Sequence, residues 1–536
     1  MSELLFRTED ISSDDILDLF VETSQDRDVI EKLKSISPII LVGSRGVGKS
    51  FLMKVAEEEL NKQFSDDKIL PVYVTFNKSS LIHSSDKNQF TNWMLSLICS
   101  KIIRQLRRKG LLANLPQSIN VLSGGSYSDE VIKIEEVAKN YEESWRNPQN
   151  QIITSAIPTV DDFKDAIQEI CEDLGIKRIN LLIDEAAHIF RPEQQRQFFT
   201  LFRDLRSPYL SCNAAVYPGV TSYGEIFQYT QDASFININR DIFSSSYIDR
   251  MREIVEKQAD SDSSLLNEIS KNRNNFEILA YASSGNPRFL LKSISRTPKV
   301  NSSQLNETIR EYYKVELLSE HSNLSEKYPG QRGLIDWGRK FIETIVLPEI
   351  QKKNINYLQE NKQTSCFIWV HKDVPQTVKE SLRLLEYTGI IQENGKGIKA
   401  TNAEIGTRYL INLGCLFSQE SSPSSSALPI ARNITSKRMT EFGMNNPNFK
   451  DLIDEIPDFK ENDTTEILEK ELSKSIDVLD LSSWIKDTLK GIDIITVKDI
   501  LTTTEANLKR AYYVGDKRAR LVKSAATAAV YEYLNG

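Results

Sequence analysis

Gly43, Gly48, Lys49 and Ser50 stand in the spacing G-x-x-x-x-G-K-S, a set of residue types that could hold a polyphosphate. Loop N–H groups converge on phosphate oxygens only where side chains do not crowd them, which glycines permit. The lysine offers a cation to the outer phosphates and the serine hydroxyl a ligand to magnesium. Ser44, Arg45, Gly46 and Val47 form the body of the loop, and Phe51 comes directly after the serine. A second magnesium ligand and a base for an attacking water are then needed. Asp184 and Glu185, at the end of Ile179-Asn180-Leu181-Leu182-Ile183, could supply them, Asp184 toward the metal and Glu185 toward the water. The plainer alternatives are a chance glycine turn and a pair of carboxylates capping a helix.

Such residues need elements to position them. Ile39 to Val42 is an apolar run of strand type, broken at Gly43, with a helix from Phe51 onward. The segment 1–36 has helical apolar spacing, and either closes on an adenine base or merely packs. A second strand is expected over Ile69–Phe76, with Pro71 near its start. A helix then runs to about Arg108; its terminal Arg104, Arg107, Arg108 and Lys109 suit a helix dipole without any ligand. Polar residues 110–158, with Gly124, Gly125 and Pro148, read as an insertion. This accounts for the separation of 135 residues from Lys49 to Asp184. The amphipathic stretch Asp161–Leu174 leads into the strand bearing Asp184. A helix is expected at about Glu193–Arg206, then a strand from Asn213 with Thr221 or Ser222 at its end, then another strand at Phe235–Arg240. In the helical region 245–300, Arg288 heads a helix that begins after Gly285-Asn286-Pro287. Its charge opposes the dipole there unless an anion is present.

Composition narrows the classes. A chain of 536 residues is too long for one core, and its 40% hydrophobic and 26% charged content is that of an ordinary globular protein. No apolar run reaches the ~20 residues of a membrane span, and the first residues lack a secretory pattern. Five scattered cysteines and four histidines make no metal pattern. A cytoplasmic setting is expected. The net charge of −8 makes any nucleic-acid contact a local one.

Gly-Ser-Arg-Gly-Val-Gly-Lys-Ser, Leu-Leu-Ile-Asp-Glu and the later Gly-Asn-Pro-Arg together resemble the AAA+ superfamily. More narrowly they resemble its initiator-like (origin-recognition) branch and the related STAND ATPases, over about residues 20–300. The resemblance implies ATP and Mg²⁺ as ligands and Arg288 as a lid arginine that reports the γ-phosphate. It also implies a polar sensor between the two Walker motifs, for which Thr221 is the candidate beside an ordinary turn. One departure stands out: no Arg or Lys occurs from Ser207 to Asn239, where ring-forming relatives carry a trans-acting arginine finger. Arg203, Arg206 and Arg240 are the nearest substitutes. A standard hexamer is therefore disfavoured against a slow switch or a small oligomer.

Beyond the lid, a long helix over Gly333–Lys353, a helix over Val374–Tyr387 and a hairpin at Ile390–Lys399 turning on Asn394-Gly395 resemble a winged helix. Lys379 and Arg383 would be exposed on its recognition helix, with Lys396 and Lys399 in the wing. Such a unit binds DNA or protein. Serine-rich 418–430 reads as a flexible linker, and the stretch from Glu441 to Glu471 is acidic. The final segment resembles the C-terminal domain of the RNA polymerase alpha subunit, a helix-hairpin-helix unit that contacts DNA and proteins. Gly515 would let a phosphate approach, with Lys517, Arg518, Arg520 and Lys523 as counter-charges. Lys509 to Lys523 carries a net +5.

The fold class expected is α/β, a P-loop parallel sheet (37–244) with a helical lid (245–300). A winged-helix-like unit (301–417), a linker and acidic segment (418–471) and a small all-α domain (472–536) come after it. The function expected is an ATP-hydrolysing switch that couples nucleotide state to DNA. The alternative is a STAND-like signalling or antiviral-defence ATPase whose last domains hold a protein partner.

Overall fold

The computed structural model describes residues 4–526, apart from 83–87, 114–115, 126, 128–131, 145–151, 187–191, 219–222, 224–225, 260–261, 329–330, 453–471, 480, 516–517, 520 and 524. Strand β1 (Ile39–Val42) runs through the glycine loop into the helix Lys49–Asp67. Strands β2 (Ile69–Thr75), β3 (Arg178–Asp184), β4 (Leu210–Val216) and β5 (Ser234–Asn237) complete an α/β sheet. All pairings are parallel, in the order β2-β3-β4-β1-β5. β3 and β4 are buried along their whole length, which is why they read as apolar runs rather than alternating ones. Pro71 is accommodated because β2 is an edge strand, where a missing N–H breaks no second ladder.

The order matters for the site. β4 lies between β1 and β3, so the residue after β4 faces both the glycine loop and Asp184. At the other end of these strands, Asn180 and Asn213 each donate an amide to Leu33 O at 2.9 Å, and Asn213 also bonds Asn180 at 2.8 Å. These buried, satisfied amides lock the sheet to the helix Ser24–Lys34.

The stretch read as an insertion is built into the core. Ile119, Leu122, Ile134, Val137 and Tyr141, from the helices Ile119–Ser123 and Lys133–Glu142, are buried with residues of β2 and β3. The basic cluster ahead of it is used there: Arg104 grips Glu135 through two bonds of 2.7 and 2.8 Å, and Arg107 donates to the Tyr127 hydroxyl.

After β5 come four helices, Tyr247–Gln258, Ser263–Lys271, Arg273–Ala282 and Pro287–Arg296. They share one hydrophobic core with the next unit, as far as Phe449 and Leu452. That unit has a long helix, Arg332–Lys340 continuing through a π-helical Phe341–Val346 into Leu347–Gln359. It also has the helix Gln376–Tyr387 and strands β6 (Phe367–His371), β7 (Ile391–Glu393), β8 (Ile398–Lys399), β9 (Ile405–Ile411) and β10 (Thr440–Phe442). β7 and β8 both pair with β9.

Three expectations are corrected here. The hairpin does not turn on Asn394-Gly395: Asn394 N–H bonds Arg408 O, and the chain reverses at Ala400–Ala403, with Ala403 at φ 62°. Arg383 is not exposed; its side chain is 9% accessible and paired with Glu380 at 2.6 Å. The serine-rich stretch is no free linker either. It forms the helix Pro423–Arg432, with Ala427, Leu428, Ile430 and Ala431 buried, and Arg432 bonds both carboxylate oxygens of Glu277. Alanine, leucine and isoleucine at helical spacing outweighed the serines. The acidic tract from 453 to 471 lies outside the described residues.

The last domain is helical, with the helices Ser483–Lys490, Val497–Thr502 and Glu505–Leu508 around Ile485, Leu489, Val497, Ile500 and Val522. Thr496 and Asp499 form a reciprocal capping box at the second of these.

Candidate nucleotide-binding site

Gly48 takes a left-handed φ of 107° just ahead of the helix Lys49–Asp67, and Gly46 takes φ 82°. A Cβ on Gly46 would lie 2.6 Å from Arg288 Cβ and 2.8 Å from Asn286 Oδ1. The loop therefore needs glycine there both for its backbone conformation and for the close approach of the lid.

The contact is specific. Three consecutive loop carbonyls each accept a bond from outside the loop. Asn286 Nδ2 donates to Arg45 O at 2.7 Å, Arg288 N–H to Gly46 O at 3.4 Å, and Arg240 Nη1 to Val47 O at 2.9 Å. Asn286 is itself held as the N-cap of Pro287–Arg296, accepting from Phe289 N–H. With carbonyls engaged on the outside, the loop is set to present N–H groups to an anion.

Lys49 is buried, with 7% of its surface exposed. Its Nζ donates to Gly43 O at 2.5 Å and Ser44 O at 3.0 Å and lies 4.2 Å from the centre of the Tyr217 ring. Burial lowers its pKa to about 7, against the opposing pull of Asp184 and Glu185. Asp184, 3% exposed at the tip of β3, accepts from the Tyr73 hydroxyl at 2.7 Å and from Glu185 N–H at 2.9 Å. Burial and this carboxylate push the Tyr73 hydroxyl well above its ordinary pKa, so it stays a donor. Glu185 has φ 50° and accepts from the Tyr217 hydroxyl at 3.2 Å. A non-glycine residue in the left-handed region costs about 1–2 kcal/mol, and such strain concentrates at functional positions.

Gly46, Gly48, Lys49, Ser50, Phe51, Asp184, Glu185 and Arg288 line one cleft of about 340 Å³. Apolar lining comes largely from the first segment, with Phe6, Ile11, Phe20 and Val21 beside the polar Arg7, Thr8 and Glu9, and from Leu291. The cleft thus combines a cation and carboxylates with apolar side chains, a lining that suits a ligand having both charged and apolar parts.

Residues 4–108 match the family model described as ORC-CDC6-like. A comparison with curated proteins returned no match. Among solved structures the chain is similar to the Walker-type ATPase PABY2304 of Pyrococcus abyssi, at 14% identity over 80% of this chain and 98% of that one, TM-score 0.40. It is also similar to the Aeropyrum pernix ORC1 protein in complex with DNA (13%, 78% and 93%, 0.30). The Aeropyrum pernix ORC2 protein in its ADPNP-ADP complexes gives 10%, 77% and 94%, and 0.32.

Residues 4–108 thus contain the glycine loop and most of the apolar lining, while the carboxylates, Arg288 and Leu291 come from outside them. Of the sequence-derived site residues, Gly43 leaves the space that Val47 fills, since a Cβ there would meet Val47 Cγ2 at 2.6 Å. Ser44 and Val47 line a smaller cavity behind the loop, beside Gly389 and Asn412. Arg45 turns toward the downstream unit, 3.5 Å from Glu320 and over the Tyr387 ring. Thr221 and Ser222 lie outside the described residues. β4 ends at Val216, earlier than expected, and Tyr217 occupies the position between loop and carboxylates. Sequence reasoning also passed over Tyr73, Asn286 and Phe6. Arg240 serves its own loop rather than a neighbouring subunit, and lies within 4.0 Å of Asp26.

Magnesium suits the oxygen donors present, since Ser50 and Asp184 line the same cleft and this ion takes few protein ligands beside phosphates and water. Among the described residues no group of three or more His, Cys, Asp or Glu could hold a metal. No helix among them is long and apolar enough to cross a membrane.

The candidate nucleic-acid residues of the last domain divide. Lys517 and Arg520 lie outside the described residues. Gly515 is exposed, with open space at its Cβ position, and Arg518 is exposed. Lys523 is half-buried instead: it donates to Leu501 O and Thr503 O and lines the same cleft as Lys49. Leu81, just past β2, packs into the core of this domain. The helical domain therefore sits beside this cleft.

Proposed function

We propose that the chain is an ATP-binding and ATP-hydrolysing switch that couples nucleotide state to DNA engagement through its C-terminal domains. The observation that carries this reading is the lid turn bonded directly to the loop, with Asn286 and Arg288 on consecutive carbonyls and Lys49, Asp184 and Glu185 in the same cleft. Lys49 and the inward N–H groups would hold the β- and γ-phosphates. Ser50 and Asp184 would hold Mg²⁺, which when bound neutralises charge on the transferring phosphoryl group. Glu185, oriented by Tyr217, would take the proton of the attacking water. Arg288 would feel the γ-phosphate and tilt the lid, which shares its core with the next unit. A change of state then follows from contacts that differ between ATP and ADP.

Glu185→Gln tests the chemistry. The variant should bind ATP normally and hydrolyse it at least about 100-fold more slowly. Unchanged turnover would remove Glu185 from the reaction. Salt-sensitive DNA binding by the full chain, weakened when Arg518 becomes Glu, tests the coupling partner.

A second reading has its own support. Arg45, inside the loop, contacts Glu320 and Tyr387 of the downstream unit, and Tyr387 packs edge-on against Tyr217 at 5.2 Å. Such a tie between the loop and the next domain, with Arg240 used within its own chain, favours a held switch of STAND type over a ring motor. Co-purified nucleotide that turns over only with a trigger would support it; brisk DNA-stimulated hydrolysis would count against it.

A further inference from the structure

The last domain packs most of its aliphatic residues inside, although Val478 and Ile495 are exposed, and it leaves three large aromatic ones outside. Tyr512 is 71% exposed, Tyr513 69% and Trp484 42%. The two tyrosines sit side by side on the turn before Gly515, their rings 4.7 Å apart and inclined at 77°, so their faces look in different directions. Tyr513 has φ 57°, a conformation that L-residues seldom hold without a local reason. The turn is fixed from behind: Arg518 Nη1 donates to Tyr513 O at 2.7 Å while its guanidinium lies 5.2 Å over the Trp484 ring. Lys509 and Arg510 are exposed just ahead of the rings.

A hairpin that reads duplex DNA through its backbone needs small residues and N–H groups turned outward. Here bulky rings occupy the turn, and Val514 N–H is bonded to Ala511 O at 3.1 Å. Paired bases in a duplex keep their faces covered by their neighbours, so protruding rings gain little from them. Unpaired bases offer both π-faces on a polyanionic thread, which aromatic side chains flanked by cations recognise. We propose that Tyr512, Tyr513 and Trp484, with Lys509, Arg510 and Arg518, form a stacking platform for single-stranded DNA. This rests on the reading that the C-terminal domain contacts DNA, and names the form of DNA it takes.

The test uses the full chain and fluorescence anisotropy with a labelled oligothymidylate and a mixed-sequence duplex of equal length. The single strand should bind about ten-fold more tightly than the duplex. Replacing both tyrosines by alanine should lower single-strand affinity by about ten-fold or more and duplex affinity less than two-fold, while the double phenylalanine variant keeps wild-type binding. Duplex bound as tightly as single strand, with no effect of the alanine pair, overturns the platform and leaves DNA binding by this domain standing. Loss of binding in the phenylalanine variant also overturns it, since the ring faces are retained. A wild-type chain that ignores both DNAs overturns this proposal together with the DNA reading, and leaves the face to a protein partner.

Discussion

Nucleotide binding should take up a proton at Lys49. Burial holds the Lys49 amine at a pKa of about 7, so at pH 8 only about one tenth of the free protein carries the charge there. A diphosphate beside the amine restores the ordinary lysine range, and the bound state is protonated. Binding at pH 8 then consumes roughly 0.9 proton, and the dissociation constant for Mg·ADP should rise about 25-fold between pH 7.5 and 9. ADP is the probe of choice, because its phosphates have shed their own protons by about pH 7.5 and no hydrolysis intervenes. Calorimetry in two buffers of different ionisation enthalpy counts the protons directly. Lys49→Arg keeps a charge that does not titrate in this range, and its affinity should move less than two-fold over the same window. A flat profile in the wild type, or the same slope in the arginine variant, would refute the reasoning.

Gly46→Ala places a Cβ 2.6 Å from Arg288 Cβ at a φ of 82°; it should cost about ten-fold or more in nucleotide affinity, measured by titration, with circular dichroism unchanged. Tyr217→Phe removes the bond to Glu185 but keeps the ring beside Lys49, so turnover should fall by roughly three- to ten-fold with affinity nearly constant; Tyr217→Ala should lose both. His321 is buried between Thr388 and Ile335 O with its pKa lowered to about 4. The unfolded chain binds the extra proton between pH 6.5 and 4, so stability contributed by neutral His321 is complete above that window and falls as pH drops through it, by roughly 3 kcal/mol. Denaturant melts from pH 7 to 4 should show this loss reduced in His321→Gln.

The glycine loop and the strand ending in Asp184 were legible because each is a short, local pattern whose chemistry and backbone demands coincide. The apolar strands announced themselves by burial on both faces. Tyr217 did not, since its role depends on β4 lying between β1 and β3, a fact of strand order that no local window carries. β4 ends at Val216, short of the strand end expected near Thr221, because the length of a buried strand is set by its neighbours rather than by its own apolar run. Pro423–Arg432 misled because serines dominate its count while the residues that decide its fate, Ala427, Leu428 and Ile430, face inward. Arg383 was misjudged because one helix face cannot be told from another before its neighbours are known.

Phe6 and Lys523 border the same cleft, although nearly the whole described chain lies between them. Closing so long a loop is an entropic cost that local contacts cannot offset early in folding. A ribosome-bound chain would expose the glycine loop hundreds of residues before Lys523 emerges, so a fully walled cleft is a property of the finished polypeptide. Proteolysis that removes only the segment bearing Lys523 should leave a folded sheet with a more open cleft, and faster exchange of whatever it holds.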